Sequence, residues 1–193
     1  MVITPPSKVA VSNPKIEPLG LHHDRAAFLC LNQDLTDYMR DGRALKEAVQ
    51  RDTSVYVCIN EEKPTQIIGY FTLAQGQVSR DSIARGMYGN DWRSSSKFRN
   101  KIFSKFPRDF INATILGKLA IHSDLKGQDF GEELLGKALA MALKGADIVA
   151  SKMVYLDAIH EKVVPFYVRA GFQRTEDGSL KMFLLMDTIA SGK

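Results

Sequence analysis

The sequence has few of the residues that build disulfide-linked or metal-stabilised folds. Its 193 residues include only two cysteines, Cys30 and Cys58, which lie far apart and at no metal-ligand spacing. We interpret both as small, buried apolar residues of a cytosolic protein, because free cysteine is often buried and disulfides are rare in the cytosol. The four histidines, His22, His23, His122 and His160, also show no metal spacing. The sequence therefore predicts no metal site.

Long hydrophobic runs are also missing. No apolar run approaches the roughly 18 residues that a membrane-spanning helix needs. The segment Met1 to Ile16 contains three prolines and no apolar block, which is not the pattern of a secretory signal. We therefore expect a cytoplasmic protein that begins with a flexible tail over residues 1–14.

The remaining composition is that of an ordinary globular protein. Apolar residues make up 45% of the chain and charged residues 25%, and this length is comfortable for one domain. We expect a single domain over 15–189, followed by a tail over 190–193. Short helices are predicted at 26–29, capped by Asp24, and at 163–169, and a longer one runs from Asn32 or Asp34 through Gly42 to Val49. Strands are predicted at 15–19, 55–59, 66–78, 115–121, 152–158, from Phe172, and at 181–186. The strands 55–59 and 66–78 are expected to pair as a hairpin.

The segment 79–110 differs from the rest of the chain in charge. It holds eight basic and three acidic residues, a net charge of +5 against +4 for the whole chain. Aromatic residues are interleaved with the basic ones, and glycines and serines indicate irregular backbone. One interpretation is a solvated basic loop anchored by a few aromatics. The other is a nucleic-acid contact, with basic groups on phosphates and exposed aromatics available for stacking. The candidate RNA-binding residues are Arg85, Arg93, Lys97, Arg99 and Lys101.

The stretch Leu116 to Leu143 combines a strand, a polar turn and an amphipathic helix. The turn reads KGQDFG over 126–131, and apolar residues then recur at helical spacing from Phe130 to Leu143. The first backbone N–H groups of such a helix are unpaired and lie at the positive end of its dipole. A turn of this kind can bind phosphate or can simply connect two elements.

Two signatures in this order resemble those of the GNAT superfamily of acyl-CoA-dependent N-acetyltransferases. The turn resembles the cofactor motif (Arg/Gln)-x-x-Gly-x-(Gly/Ala), and the second signature reads VPFYVRAGF over 164–172. The resemblance implies an α/β (α+β) GNAT fold: a mixed, mostly antiparallel sheet of about six or seven strands flanked by helices. It also implies a splayed central strand pair at the cofactor site.

Three further segments are similar to the toxin branch of that superfamily. They read FLCLNQDLTDYM over 28–39, IIGYFTL over 67–73 and KMFLLM over 181–186. Members of this branch acetylate the α-amine of the amino acid on aminoacyl-tRNA, block translation, and are encoded beside a ribbon-helix-helix antitoxin. The resemblance implies acetyl-CoA as cosubstrate, aminoacyl-tRNA as acceptor, an antitoxin partner, and a homodimer such as is frequent in the family. It spans roughly 16–189, although the basic segment is longer than the branch leads us to expect.

The resemblance also implies the site residues. Tyr167 is the candidate general acid, because a phenol with a pKa near 10 is protonated at neutral pH; the alternative is a packing residue. No general base stands out, and a strong one is not required, because a free α-amine has a pKa of about 8 and part of it is already neutral near pH 7. The candidate acetyl-CoA residues are Leu119, Ala120, Ile121, Lys126, Gly127, Gln128, Asp129, Phe130, Gly131 and Glu132.

One position departs from the family pattern. Asp129 stands where the motif has its first glycine, and it brings a carboxylate and a Cβ to a place that favours close backbone approach to phosphate. Asp129 could turn outward to solvent, or it could cap the helix. Two alternatives to a tRNA acetyltransferase therefore stay open. One is acetylation of a small amine or a protein amine, and the other is a degenerate GNAT fold that acts as a binding protein.

Overall fold

The computed structural model describes residues 13–176 and 178–192, so most of the predicted tail over 1–14 lies outside the described residues. Within them are seven strands: β1 Pro14–Pro18, β2 Ser54–Asn60, β3 Lys63–Ser79, β4 Phe110–Ile121, β5 Met153–Asp157, β6 Gln173–Arg174 and β7 Lys181–Leu185. The same residues form seven α-helices: α1 Gln33–Arg40, α2 Arg43–Gln50, α3 Arg80–Tyr88, α4 Ser96–Lys105, α5 Phe130–Ala146, α6 Val164–Arg169 and α7 Met186–Ser191.

The strands form one mixed sheet in the order β1-β2-β3-β4-β5-β7-β6. β1 pairs with β2, and β7 pairs with β5 and β6, in antiparallel fashion. β4 and β5 are parallel, with Ala113–Ile115 opposite Met153–Tyr155. β4 continues to Ile121 beyond this short paired stretch, which agrees with the splayed central pair expected from the sequence.

The chain clusters into two compact units. The first contains the described residues up to Thr72 together with Lys118–Lys137. Its apolar core joins Leu19, which follows β1, to residues of β2, β3 and the two helices α1 and α2. Tyr38 and Tyr70 are fully buried there, with their rings stacked at 6.0 Å between centroids. Each hydroxyl is satisfied: Tyr38 donates to Glu47 and Tyr70 donates to the Leu35 carbonyl.

The second unit contains Leu73–Gly117 and the residues from Ala138 onward. Its core combines apolar residues of α3 and α4 with β4, β5 and β7. Gly86 allows α3 to lie against β6, because a Cβ at this position would overlap the Arg174 carbonyl oxygen and lie 3.0 Å from Phe183. The absence of a side chain at residue 86 is therefore a packing requirement of this unit.

Several local predictions are wrong. The predicted helix at 26–29 is a turn, in which the Asp24 carboxylate accepts the Ala27 N–H at 3.1 Å. The predicted long helix is two helices, because Gly42 adopts φ +88 between α1 and α2. Asn32 does cap α1 by accepting the Leu35 N–H at 3.0 Å, as predicted. Residues 190 and 191, predicted as tail, belong to α7.

The basic segment 79–110 is mostly helical, which corrects the prediction of a long irregular loop. α3 and α4 cover most of it, and Ser95 caps α4 through its side chain. Gly86, which we took as a sign of irregular backbone, lies inside α3. Packing stabilises the two helices of the segment: Ile83 of α3 and Ile102 of α4 are both buried.

No helix within 13–176 and 178–192 is long and apolar enough to cross a membrane. Both cysteines are free thiols; Cys58 is buried, as predicted, whereas Cys30 is half-buried and donates to the Asn32 carbonyl. Burial raises the pKa of the Cys58 thiol to about 12.

Candidate active site

The end of β4 leads into the candidate phosphate-binding turn, and both belong to the first unit. The Lys118 N–H donates to the Thr72 hydroxyl at 2.9 Å. Gly69 lies so close to this strand that a Cβ there would be 3.1 Å from the Ala120 carbonyl oxygen. Leu119 and Ile121, on either side of Ala120, are half-buried. β4 thus reaches the turn as a closely packed strand.

The turn itself is closed by a few backbone hydrogen bonds. Lys126 donates to Ser123, Gln128 donates to Leu125, and the N–H groups of Glu132 and Glu133 both reach the Asp129 carbonyl. In the described chain, the remaining N–H groups of the turn take no part in the backbone bonds that close it; they belong to Gly127, Asp129, Phe130 and Gly131. These groups lie at the N-terminus of the 17-residue helix α5, where the dipole favours an anion.

Asp129 resolves one of the alternatives from the sequence. Its backbone adopts φ +57, the left-handed conformation that glycine takes most readily. Its side chain is exposed, and its carboxylate makes no hydrogen bond or ion pair with any residue that the structure describes. The predicted side-chain cap is therefore not formed, and the carboxylate turns to solvent. The backbone keeps the shape that a glycine would give it.

The residues of the turn fit a phosphate-bearing ligand. Gly127 adopts φ +76, and a Cβ there would meet nothing within 4 Å, so the backbone is open to close approach. Lys126 is exposed and supplies a positive charge beside the free N–H groups. Gln128 is half-buried, and its side-chain amide donates to the Asp124 carbonyl at 3.0 Å, which braces the turn.

Tyr167 lies in the second unit, on α6. Its ring packs edge-on against Phe166 and Phe172, with centroids 5.0 and 5.7 Å away. Its hydroxyl makes no hydrogen bond within the described part of the chain, in contrast to those of Tyr38 and Tyr70. Burial raises the pKa of Tyr167 to about 12, so the phenol keeps its proton across the physiological range and has it available for a ligand.

The polar residues near the strand ends do not form an evident general base. Glu161 is engaged by Arg174, with oxygen–nitrogen distances of 3.0 and 2.5 Å, and this ion pair lowers the pKa of the carboxyl. His122 accepts the Asp124 N–H at 3.4 Å and packs edge-on against Phe28. Both side chains are therefore already engaged by neighbouring groups of the chain.

The predicted RNA-binding residues fall into two groups in the second unit. Arg85 forms an ion pair with Glu176 at 3.1 Å, and Arg93 forms one with Asp81. Arg99 is exposed but donates to the Arg93 carbonyl at 2.7 Å. In the described chain, Lys97 and Lys101 make no ion pair, and both are exposed one helical turn apart on α4.

Four of the six aromatic residues of the basic segment are buried or half-buried, which corrects in part the expectation that they are free to stack on bases; Phe110 is 60% exposed. Trp92 and Phe106 are buried at 2% and 3% exposure. Tyr88 and Phe98 stack on each other at 4.6 Å between centroids. Phe103 is 46% exposed, but its ring lies against the Arg80 guanidinium. The sequence could not show this, because charge and aromatic content do not reveal which way a helix faces.

Comparisons with known proteins place this geometry in context. No protein-family model matches the chain. It is similar to a tRNA-acetylating toxin of Mycobacterium tuberculosis, with 24% identity over 163 residues that cover 84% of this chain and 86% of the relative. A tyrosine-to-phenylalanine mutant of KacT superposes with a TM-score of 0.78 at 21% identity, covering 94% of this chain and 100% of KacT.

The chain has the GNAT fold. The fold class predicted from the sequence is thereby confirmed, and so is the resemblance to the toxin branch. AtaT in complex with acetyl-methionyl-tRNAfMet has the same GNAT fold, with a TM-score of 0.76, 22% identity and coverage of 93% and 98%. An AtaT mutant bound to acetyl-CoA and to the C-terminus of the antitoxin AtaR superposes at 0.70, with 18% identity and coverage of 93% and 97%.

Within this GNAT fold, sequence reasoning missed the residues that hold the site in place. Thr72 and Gly69 support β4, and both lie in the segment IIGYFTL that carried the resemblance. Arg174 was also missed, although it fixes Glu161. Thr72 and Gly69 could have been found from their place in the segment IIGYFTL. No residue next to Arg174 in the sequence indicates that it pairs with Glu161.

Proposed function

We propose that this protein is an acetyl-CoA-dependent N-acetyltransferase that acetylates the α-amine of aminoacyl-tRNA and so acts as a translation-blocking toxin. The observation that carries the proposal is the turn before α5, whose free N–H groups and open glycine suit a pyrophosphate. The similarity to the tRNA-acetylating toxin over 84% of the chain supports the acceptor. The place of action is then the cytoplasm, where charged tRNA is found, and an antitoxin is the natural partner.

The chemistry assigns separate tasks to the residues of the chain. The neutral amine nitrogen attacks the thioester carbonyl carbon, an N–C bond forms, and the C–S bond breaks. The backbone of 119–121 supplies the donor for the developing oxyanion, a contribution worth roughly 3–4 kcal/mol in other enzymes. Tyr167 gives its phenolic proton to the departing sulfur, the amine loses its extra proton to water, and water returns a proton to the Tyr167 phenolate. No strong base is required, since an α-amine has a pKa of about 8.

The turn from Lys126 to Gly131 and the first residues of α5 hold the pyrophosphate in this proposal. Lys126 adds a favourable charge, whereas Asp129 and Glu132 add unfavourable ones. Because the Asp129 side chain is exposed, solvent screens its charge and the backbone donors remain accessible. This favours an active enzyme over a degenerate fold kept for binding.

Replacing Asp129 with glycine is expected to raise the affinity for acetyl-CoA by roughly threefold to tenfold, measured by calorimetry. The substitution keeps the left-handed backbone that Asp129 already has, with φ +57, and removes one negative charge worth about 1 kcal/mol near water-exposed phosphate. Asp129→Asn is the matched control, because asparagine removes the charge, keeps the Cβ and tolerates the same conformation.

The two variants separate charge from shape. If Asp129→Asn gains as much affinity for acetyl-CoA as Asp129→Gly, the carboxylate charge weakens binding in the wild type. If only Asp129→Gly gains affinity, the Cβ weakens it. A wild-type protein that binds no acetyl-CoA, with binding restored in Asp129→Gly, would instead support the degenerate fold.

Transfer of labelled acetyl groups to bulk charged tRNA tests the proposed function directly. We expect acetylated aminoacyl-tRNA that disappears when the tRNA is deacylated beforehand. Equal or faster labelling of polyamines or peptides without RNA would favour acetylation of a small amine or a protein amine and would contradict the tRNA proposal.

The affinity for tRNA, measured over a range of salt concentrations, tests the basic surface, for which we propose contacts to tRNA by Lys97, Lys101 and Arg99, with Arg85 and Arg93 held by carboxylates. The double variant Lys97→Ala, Lys101→Ala is expected to weaken tRNA binding about tenfold and to reduce the slope against log salt by roughly 1.5, since two phosphate contacts are lost. The control is Lys144→Ala, Lys152→Ala, which removes two exposed lysines of the same unit. Equal losses in both variants would contradict a specific surface on α4.

A further inference from the structure

A second group of chemically active side chains lies in the first unit, outside the candidate active site. Glu17 belongs to β1, and His22 and His23 follow in the next turn. His22 Nε2 is 3.2 Å and His23 Nε2 is 3.0 Å from the same carboxylate oxygen, Glu17 Oε1. Three potential metal ligands therefore converge on one point.

The separations suit a small divalent metal. The three ligand atoms all lie within 4.8 Å of one another. Zinc bonds of about 2.0–2.1 Å in tetrahedral geometry place neighbouring ligand atoms roughly 3.3–3.4 Å apart. The two nitrogen–oxygen separations of 3.2 and 3.0 Å are close to that value, so little movement is needed to admit the ion.

His23 is buried in an orientation that turns its Nε2 toward Glu17. Its side chain is at 0% exposure, and its Nδ1 accepts the Gly20 N–H at 2.9 Å and also lies 3.3 Å from the Gly20 carbonyl oxygen. Metal binding at Nε2 moves the ring proton to Nδ1, which then exchanges the bond from the Gly20 N–H for a bond that it donates to the Gly20 carbonyl. A ligand histidine commonly has such a carbonyl partner on its second nitrogen.

The surrounding residues leave the ligand atoms available. Lys15 pairs with the other carboxylate oxygen, Glu17 Oε2, at 3.0 Å, so Oε1 remains for the imidazoles. At Gly20 there is no room for a side chain, because a Cβ would lie 2.8 Å from the His22 ring. The missing side chain lets the two imidazoles lie side by side, with centroids 3.9 Å apart and ring planes tilted by 38°.

We propose that Glu17, His22 and His23 form a zinc site with three protein ligands and a fourth, water-accessible position. Two imidazoles and one carboxylate favour zinc over magnesium or calcium, which prefer oxygen ligands. His22 is 60% exposed, which leaves the fourth position open to solvent. The bound ion would clip β1 to the turn that follows it and stabilise this edge of the first unit.

Cobalt titration of the full chain tests the site. The protein is made without a polyhistidine tag, treated with a chelator and desalted, and Co²⁺ is then added. We expect the intense visible bands of four-coordinate cobalt at one equivalent, their loss on addition of Zn²⁺, and a higher melting temperature with Zn²⁺ but not with Mg²⁺.

The decisive variant is His22→Ala, which removes an exposed ligand and leaves the buried His23 in place. We expect it to lower zinc affinity by at least roughly tenfold, because one of three ligands is lost. His160→Ala removes an exposed histidine of the second unit and serves as the matched control. Absent cobalt bands, or zinc affinity equal in His22→Ala and the wild type, would show that the cluster is only a hydrogen-bonded histidine–glutamate group.

Discussion

Replacing Tyr167 with phenylalanine is expected to lower the turnover of acetyl transfer by about 10²–10⁴-fold, the usual contribution of a general acid. The substitution deletes one hydroxyl that has no hydrogen-bond partner among the described residues. The ring contacts with Phe166 and Phe172 do not involve that hydroxyl and should persist. We therefore expect a folded protein with an unchanged melting temperature and an unchanged affinity for acetyl-CoA.

The matched control is Tyr155→Phe, which deletes the same atom from another half-buried tyrosine of the second unit. It should retain near-normal turnover. Near-normal turnover in Tyr167→Phe as well would show that Tyr167 is a packing residue, the alternative that the sequence left open.

The dependence of wild-type turnover on pH should also reflect the role of Tyr167 as general acid. Burial raises the pKa of Tyr167 to about 12, and the protonated phenol is the competent form. Loss of this proton therefore begins only as the pH rises toward 12, whereas an ordinary phenol would be half-ionised near pH 10. We expect turnover to show no decline from tyrosine ionisation up to about pH 10. A fall in turnover centred near pH 10, absent from the tRNA and acetyl-CoA controls, would contradict this.

Replacing Gly86 with alanine is expected to lower the free energy of unfolding by about 2–3 kcal/mol. A Cβ at this helical position would overlap the Arg174 carbonyl and lie 3.0 Å from the Thr175 Cα, and backbone atoms yield less readily than side chains. In a protein of this size the melting temperature should fall by roughly 5–10 °C. The better helix propensity of alanine offsets the loss by at most about 1 kcal/mol.

Gly136→Ala provides the comparison, because residue 136 is an exposed position of α5 where a Cβ would meet nothing within 4 Å. There the propensity gain acts alone, and we expect a stabilisation of about 0.5–1 kcal/mol. Thermal or denaturant unfolding of both variants measures the difference. If both substitutions stabilise the protein, α3 does not lie against β6 as closely as described.

The parts of the fold that depend on neighbouring residues were predictable. Asn32 was recognised as a start signal because capping links residues three apart. The helix after the turn was predicted because its apolar stripe repeats at helical spacing. In contrast, Gly42 was expected only to weaken a helix, and its φ of +88 ended one instead. Local propensity alone does not say whether a glycine is tolerated in a helix or breaks it.

The sequence by itself determined the GNAT fold, the candidate phosphate-binding turn at 126–131 and the candidate general acid Tyr167, because the segments that carry the resemblance are short and contiguous. Only the tertiary structure decided which basic side chains of the segment 79–110 are paired. Arg85 pairs with Glu176, which is distant along the chain, whereas Lys97 and Lys101 make no ion pair within residues 13–176 and 178–192. The same holds for Glu17, His22 and His23, which share no metal spacing in sequence yet meet at one carboxylate oxygen. Charge pairing and ligand convergence depend on distances in space, and folding sets those distances.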